Sequence, residues 1–308
     1  MLRQLFIGLS ESKRIRRMAE HSPMGLRMSR RFVAGTTIEN GIAATRAINQ
    51  QGMSVTLDHL GENVTNAEEA KGSSQSYHQM LGAIRANQLN ANVSCKLTHL
   101  GFDVDPCLCR ELVCGMVTHA ARLNNFVRVD MEGSAYTQRT IDLVRELHRS
   151  IGDADAVGTV IQSYLHRSER DVEQLCADGI RIRLVKGAYK EPPEIAFQKK
   201  HEVDANFLRL MKILLKSGLY HAIATHDERI IKDTIRFAGQ EKISPDSFEF
   251  QMLYGIRRDL QAQLVREGWR MRVYIPFGTE WYPYFMRRLA ERPAGKQQVP
   301  RAKGGRSE

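Results

Sequence analysis

The sequence predicts an α/β protein folded as a (β/α)8 TIM-type barrel. Eight segments rich in β-branched residues recur along the chain, and each ends in polar residues. Helical segments separate them, and the predicted strands start roughly 22 to 40 residues apart. This alternation is typical of parallel βαβ units, and eight such units in about 225 residues indicate a closed barrel. An open, doubly wound sheet is the alternative, although no GxGxxG or P-loop motif follows any predicted strand.

The apolar periodicity and the Gly and Pro positions set the predicted boundaries of the elements. The strands are predicted at 53–61, 91–98, 126–132, 157–165, 180–186, 220–227, 248–255 and 270–278. One helix is predicted between the first strand and about residue 90. The others are predicted at 107–124, 137–150, 169–177, 194–217, 228–238 and 257–267.

The chain divides into three parts. Residues 1–52 are predicted to form a helical N-terminal cap, with a break at residues 23–25 and a second helix over 38–48. Residues 53–292 form the barrel, and residues 293–308 form a basic, flexible tail.

Charge and hydropathy narrow the class of protein. No stretch of about 18 apolar residues exists and the N-terminus lacks a signal-peptide core, so we expect a cytoplasmic protein. The net charge of +10 lies at the two ends, with +6 in residues 1–31 and +4 in residues 292–308. This excess is either solvated terminal charge or an attraction to an anionic membrane. Nucleic-acid binding is disfavoured, since the positive charge avoids the strand ends.

The five cysteines predict neither disulfides nor a metal site. They are few, odd in number and without the CxxC spacing of zinc sites, and they are Cys95, Cys107, Cys109, Cys114 and Cys176. A metal site built from the pairs Asp58-His59 and His226-Asp227 is the remaining alternative. Because no other set of metal ligands stands out, we predict no metal.

The fifth strand is unusually charged. Arg181, Arg183 and Lys186 lie in an otherwise apolar run, and a buried cation needs a partner. A closed barrel has no edge strand, so an anion is expected near the end of this strand. Arg183 and Lys186 differ in strand parity, so both reach one ligand only if the strand ends before Lys186. The pattern gives no role to Arg181.

Polar residues end every predicted strand, where barrel enzymes place their active sites. This set predicts the site at the C-terminal mouth, and it comprises Asp58, His59, Lys96, Asp130, Glu132, Gln162, Arg183, Lys186, Thr225, His226, Asp227, Gln251 and Tyr274.

A last helix follows strand eight and shows two faces. Tyr284, Arg287, Arg288 and Glu291 share one face at helical spacing. The face is either a solvated charged surface or a pair of guanidinium groups aimed at one carboxylate. In the second interpretation the helix folds over the mouth.

The many cations at the predicted mouth suit a large phosphate-bearing ligand together with a small carboxylate substrate. The alternative is a Schiff-base lyase or aldolase that uses Lys96 or Lys186.

Six motifs in this order resemble the proline dehydrogenase family. They are VIQSYL at 160–165, RLVKGAY at 183–189, ATHD at 224–227, FQMLYG at 250–255, YIPFG at 274–278 and RRLAE at 287–291. The resemblance covers about residues 50–292 and is similar to the single-function bacterial form. It implies a distorted barrel, FAD as cofactor, and oxidation of L-proline to Δ1-pyrroline-5-carboxylate with a membrane quinone as acceptor.

The resemblance also implies roles for individual residues. Lys96, Arg287 and Arg288 would hold the proline carboxylate, while Tyr274, Tyr284 and Leu253 pack around the ring. Tyr189 would lie close by and Asp130 would support the site. The residues expected to hold FAD are Gln162, Arg183, Lys186, Gly187, Thr225, His226 and Glu291.

Overall fold

A computed structural model describes residues 22–61, 64–152 and 155–290, and these form the predicted barrel. Eight parallel strands pair in sequence order, and the last strand pairs with the first to close the sheet. The strands are β1 Ser54–His59, β2 Ala91–Cys95, β3 Val127–Val129, β4 Val157–Gln162, β5 Arg181–Val185, β6 His221–Ala224, β7 Phe248–Leu253 and β8 Met271–Phe277. All eight strand positions are confirmed, and the open-sheet alternative is excluded.

Helices surround the barrel. Within the described residues they are α1 Pro23–Ser29, α2 Ile38–Asn49, α3 Ala67–Ala86, α4 Pro106–Arg122, α5 Ser134–Ser150, α6 Ser168–Ala177, α7 Lys200–Lys216, α8 Glu228–Gln240, α9 Arg258–Arg266 and α10 Trp281–Ala290. The predicted start of the helix at 194 was wrong. Residues 194–199 instead run beside the end of β4, where Ala196 bridges Leu165 and Phe197 N–H donates to the Tyr164 carbonyl at 2.8 Å.

The N-terminal cap departs from prediction at one point. The predicted break at residues 23–25 was wrong, because a short helix begins at Pro23, a residue whose missing N–H is tolerated in the first turn. The second helix is confirmed as α2, and its Gly41 lets it approach Leu57 and Phe277 closely. The predicted helix before residue 22 lies outside the described residues, and the division points at 52 and 292 stay predictions.

The barrel interior is hydrogen-bonded and charged. Outward-facing strand residues such as Val55 and Leu57 are buried in the aliphatic core. Inside, Arg272 donates to Glu249 at 2.7 Å and to Asn92 at 2.8 Å, and Asn92 accepts from Thr56 at 2.7 Å. We call Thr56, Asn92, Arg128, Glu249, Gln251 and Arg272 the lower polar layer. Barrel interiors are usually dominated by bulky branched residues.

Arg181, for which no role was predicted, belongs to the bottom of the barrel. Its guanidinium lies over the rings of Phe126 at 4.7 Å and Tyr220 at 5.1 Å. Its carbonyl accepts from buried Arg128 at 2.7 Å. Arg181 therefore packs at the start of β5, far from the mouth.

The last helix lies over the mouth, as predicted. Trp281, Tyr282, Phe285 and Met286 of α10 pack in one cluster with Phe32, Val33 and Leu60, and Ile256 packs against that cluster. Leu60 follows β1 and Ile256 follows β7, so the cluster spans loops at the C-terminal strand ends. This packing fixes α10 above the polar strand ends.

Candidate active site

Asp130 organises one side of the mouth. This carboxylate follows β3 and accepts from Arg183 Nη1 at 2.7 Å, Tyr274 OH at 2.8 Å and Ser94 Oγ at 2.6 Å. The Arg183 guanidinium also lies 5.1 Å from the Tyr274 ring centroid. Burial and the neighbouring carboxylates raise the pKa of Tyr274 well above its usual value, so its hydroxyl stays protonated and donates to Asp130. Three predicted residues from three strands are thus brought together.

Arg183 keeps part of its guanidinium without a protein acceptor. The residue is 5% exposed, and its Nε and Nη2 are buried with no hydrogen-bond partner among the described residues. A buried cationic donor in this state is costly unless a ligand accepts from it. Arg183 lies in the middle of β5 and its guanidinium reaches Asp130 beyond the end of β3, so its remaining donors fit a cofactor with accepting atoms.

Lys96 lies directly after β2 and points to β1. Its Nζ is 3.3 Å from Asp58 Oδ2, and Asp58 is 1% exposed. Asp58 was predicted as one of the polar strand ends, without a role in binding proline or FAD. Its partner could not be read from the sequence, because the two residues are 38 positions apart.

The position at which β5 ends removes the conflict between the strand parities of Arg183 and Lys186. The strand ends at Val185, so Lys186 lies in the following loop and is free of strand alternation. Its Nζ contacts Asp204 at 2.6 Å and Asp227 at 2.8 Å, away from the Asp130 cluster. A Schiff base needs a neutral, available amine, whereas both Lys96 and Lys186 contact carboxylates. This arrangement disfavours the lyase alternative.

Gly187 is required by geometry. Its φ is +114°, and a Cβ at this position would lie 2.3 Å from the Tyr164 ring. A side chain is therefore excluded twice, by backbone conformation and by space. The backbone at this point passes close to its neighbours, as expected beside a bound ligand.

The ends of β6 and β7 are tied together by His226. Its Nε2 accepts from Leu253 N–H at 3.0 Å, which leaves Nδ1 as the protonated nitrogen of the neutral ring. Burial, followed by the charges of Arg288 and Arg257, lowers the pKa of His226 to about 4. The ring is therefore a neutral hydrogen-bonding group at neutral pH. Beside it, Thr225 is 7% exposed and its hydroxyl accepts from Asp227 N–H at 3.0 Å.

Helix α10 contributes the predicted arginines. Arg287 and Arg288 are half-buried rather than fully solvated, and the Arg288 guanidinium lies 5.3 Å from the Tyr284 ring centroid. The influence of Arg288 on buried His226 places it near the end of β6. The interpretation of this face as a solvated surface is therefore not supported.

Two further predicted residues, Gln162 and Tyr189, lie on the loops and strands of the mouth, and a third, Glu291, lies outside the described residues. Gln162 is 2% exposed and its Nε2 donates to the Glu132 carbonyl at 2.9 Å, which joins β4 to the loop after β3. Tyr189 is half-buried in the loop after β5. In the ranges that the structure covers, no group of three or more His, Cys, Asp or Glu side chains is arranged to hold a metal ion.

A closed parallel barrel with its charged groups gathered at the C-terminal mouth defines the class of (β/α)8-barrel enzymes. The family model described as proline dehydrogenase matches residues 42–301, so the chain belongs to the proline dehydrogenase family.

Relatives of full length support the same family. The chain is 41% identical over 293 residues to proline dehydrogenase 2 of Bacillus subtilis, covering 95% of both chains. It is 40% identical to proline dehydrogenase of Deinococcus radiodurans, covering 95% of this chain and 94% of the relative. These matches support proline dehydrogenase as the activity of the family to which the chain belongs.

A solved structure agrees on the fold. Proline utilization A (PutA) from Bdellovibrio bacteriovorus, inactivated by N-propargylglycine, superposes with a TM-score of 0.82 at 26% identity. The match covers 87% of this chain and 33% of that chain. The barrel therefore corresponds to one part of the larger PutA chain.

Proposed function

We propose that this chain oxidises L-proline to Δ1-pyrroline-5-carboxylate with FAD as cofactor and passes the electrons to a membrane quinone. The observation that carries the proposal is the buried edge of Arg183, whose Nε and Nη2 have no acceptor among the described residues. When bound, FAD supplies the hydride acceptor. The residues that would hold it are Arg183, Gln162, Lys186, Gly187, Thr225, His226 and Glu291.

The remaining residues position the substrate. Lys96, Arg287 and Arg288 would bind the proline carboxylate, since the planar Arg fork pairs with a carboxylate through two hydrogen bonds. Tyr274, Tyr284 and Leu253 would pack around the ring, with Tyr189 nearby. Asp130 holds both Arg183 and Tyr274, so one carboxylate aligns the cofactor side and the substrate side of the site. Positioning of this kind is a large part of enzymatic rate enhancement.

The test is a visible absorption spectrum of the purified protein. We expect a yellow flavoprotein whose absorbance bleaches when L-proline is added without oxygen. The variant Arg183→Gln should fold but retain less FAD, whereas Arg209→Gln on the outside of α7 should retain as much as the wild type. A colourless, active protein trapped by borohydride with its substrate would instead support a Schiff-base enzyme.

A membrane quinone can accept electrons only at the membrane, so we propose that the protein works in the cytoplasm at the inner face of the membrane. No helix in the described part of the chain is long and apolar enough to cross a bilayer. Helix α1 offers a peripheral contact, because Met24 and Met28 are 65% and 54% exposed beside the exposed Arg27 and Arg30. Apolar side chains flanked by arginines suit an anionic lipid surface.

Vesicle sedimentation tests this contact. Binding to vesicles that contain anionic lipid should weaken in the double variant Met24→Ser/Met28→Ser and after removal of residues 292–308. Replacing exposed Val104, which lies between β2 and α4, by Ser is the control. Equal binding by the wild type, the double variant, the truncated protein and the Val104→Ser control would contradict the proposal.

A further inference from the structure

Asp58 is a buried carboxylate at the mouth that no predicted role explains. It lies near the end of β1, is 1% exposed, and its two oxygens lie 3.3 and 3.4 Å from Lys96 Nζ. Lys96 is itself only 13% exposed in its side chain. The ammonium of Lys96 thus rests on Asp58 at the rim of the mouth.

The fold gains little stability from this carboxylate. Burial is the largest influence on Asp58 and raises its pKa, and the nearby Asp130 raises it further, while Lys96 only partly offsets them. A folded pKa above the unfolded value means that the charged form is disfavoured by folding, so at neutral pH the group costs stability. Buried carboxylates that cost stability are common at functional sites.

Glu249 in the lower polar layer is the structural contrast. It is equally buried, but Arg272 lies 2.7 Å from it and helps to lower its pKa below the usual value. For Glu249 the ion pair outweighs the cost of burial, whereas for Asp58 it does not. The contact between Lys96 Nζ and Asp58 is longer, at 3.3 Å.

We propose that Asp58 is a positioning residue that holds the ammonium of Lys96 where the carboxylate of the substrate binds. The inference rests on the proposed role of Lys96 in binding proline. Lys96 is a flexible chain with a compact charge, and a buried carboxylate beneath it restricts where that charge lies. Asp58 acts through Lys96 and does not itself contact the substrate.

The decisive experiment measures steady-state kinetics and thermal unfolding of the holoenzyme Asp58→Asn. We expect the KM for L-proline to rise roughly tenfold, with kcat changing much less, because substrate binding is weakened. The Tm should change little, because asparagine keeps an oxygen acceptor for Lys96 while a costly buried charge is removed. A purely structural role predicts the reverse, with a lower Tm and an unchanged KM.

Two further variants separate the possible failures. Asp171→Asn removes a buried carboxylate that pairs with Arg167 at 2.7 Å on α6, and it should lower Tm without changing KM. Lys96→Met tests the underlying site and should raise KM at least as much as Asp58→Asn. If Lys96→Met raises KM and Asp58→Asn does not, the positioning role is wrong. If neither raises KM, the proposed role of Lys96 is wrong as well.

Discussion

At the scale of single residues, the mouth is built from carboxylates that each hold several groups. Asp130 accepts three hydrogen bonds from three strands, and Asp227 contacts both Lys186 and Lys200. Each carboxylate therefore fixes the orientation of more than one cationic or hydroxyl donor. Loss of the carboxylate should cost more than loss of any one donor.

Asp130→Ala and Tyr274→Phe test this difference. Removing the carboxylate leaves the buried Arg183 cation unpaired, which should lower the free energy of unfolding by about 3 to 5 kcal/mol. Removing only the Tyr274 hydroxyl should cost about 1 kcal/mol. Urea denaturation of the two variants measures both values, and equal losses would contradict the shared-acceptor arrangement.

Arg288→Lys tests the proposed binding of the substrate carboxylate. A lysine keeps the charge but cannot form two parallel hydrogen bonds, so the KM for proline should rise about tenfold, equivalent to about 1.4 kcal/mol. Arg266→Lys, on the exposed side of α9, is the matched control. An unchanged KM in Arg288→Lys would remove this residue from the substrate site.

At the scale of elements, one loop caps a distant helix. Helix α5 begins after Gly133, which has no capping side chain. Instead, Glu191 from the loop after β5 accepts from Ser134 N–H at 2.7 Å and from Ser134 Oγ at 2.6 Å. A carboxylate suits the positive end of the helix. The contact also anchors the loop that carries Gly187 and Tyr189.

Glu191→Gln should loosen both partners of this contact. The loss of the charged cap should cost about 1 kcal/mol. Limited proteolysis should then cut faster between residues 187 and 199. Glu194→Gln changes an exposed residue of the same loop and should leave the cleavage rate unchanged. Faster cleavage in both variants would point to a general effect of charge on the loop.

At the scale of the whole molecule, the lower half of the barrel interior is organised around the buried ion pair of Arg272 and Glu249. Arg272 links Glu249, Asn92 and the Val55 carbonyl, and so connects β7, β8, β1 and β2. Because the Glu249 pKa is lowered in the fold, its contribution to stability is present above the ordinary pKa of glutamate and lost as pH falls through the folded value. The barrel should therefore weaken in acid.

Arg272→Met and the double variant Arg272→Met/Glu249→Leu test the polar interior. The single change leaves a buried carboxylate without its cation and should cost about 3 to 5 kcal/mol at neutral pH. The double change should recover much of this loss, since both charges are removed. Denaturation curves at pH 7 and at pH 4 give the comparison, and the acid sensitivity should decrease in the double variant.

Much of this architecture could be predicted from local patterns. Eight runs of β-branched residues, each closed by a polar end, were enough for all eight strands. Helical spacing put Arg287 and Arg288 on one face of α10, but it left open whether that face was solvated or turned to the mouth. What failed was local as well, since Pro23 was expected to break a helix but begins α1. Residues 194–199 were expected to be helical but pair beside the end of β4, so α7 begins only at Lys200.

Pairings between distant elements could not be predicted from those patterns. Nothing in the sequence joins Asp58 to Lys96, Glu191 to Ser134 or Lys186 to Asp204. The same limit applied to Arg181, whose guanidinium lies over the rings of Phe126 and Tyr220, the residues that precede β3 and β6. Such contacts depend on the order of the strands around the barrel and on which side chains the pleat turns inward.

Closure of the barrel also sets the order in which the protein can mature on the ribosome. β1 pairs with β8 over six positions, and the Ala34 amide bonds the Pro276 carbonyl at 2.9 Å. A nascent chain that stops at residue 270 therefore exposes two unpaired strand edges, which invite association with other chains. The twin arginines follow only after β8. The segment proposed to recognise the substrate is thus translated after every strand of the barrel, and we expect truncated chains to require chaperones.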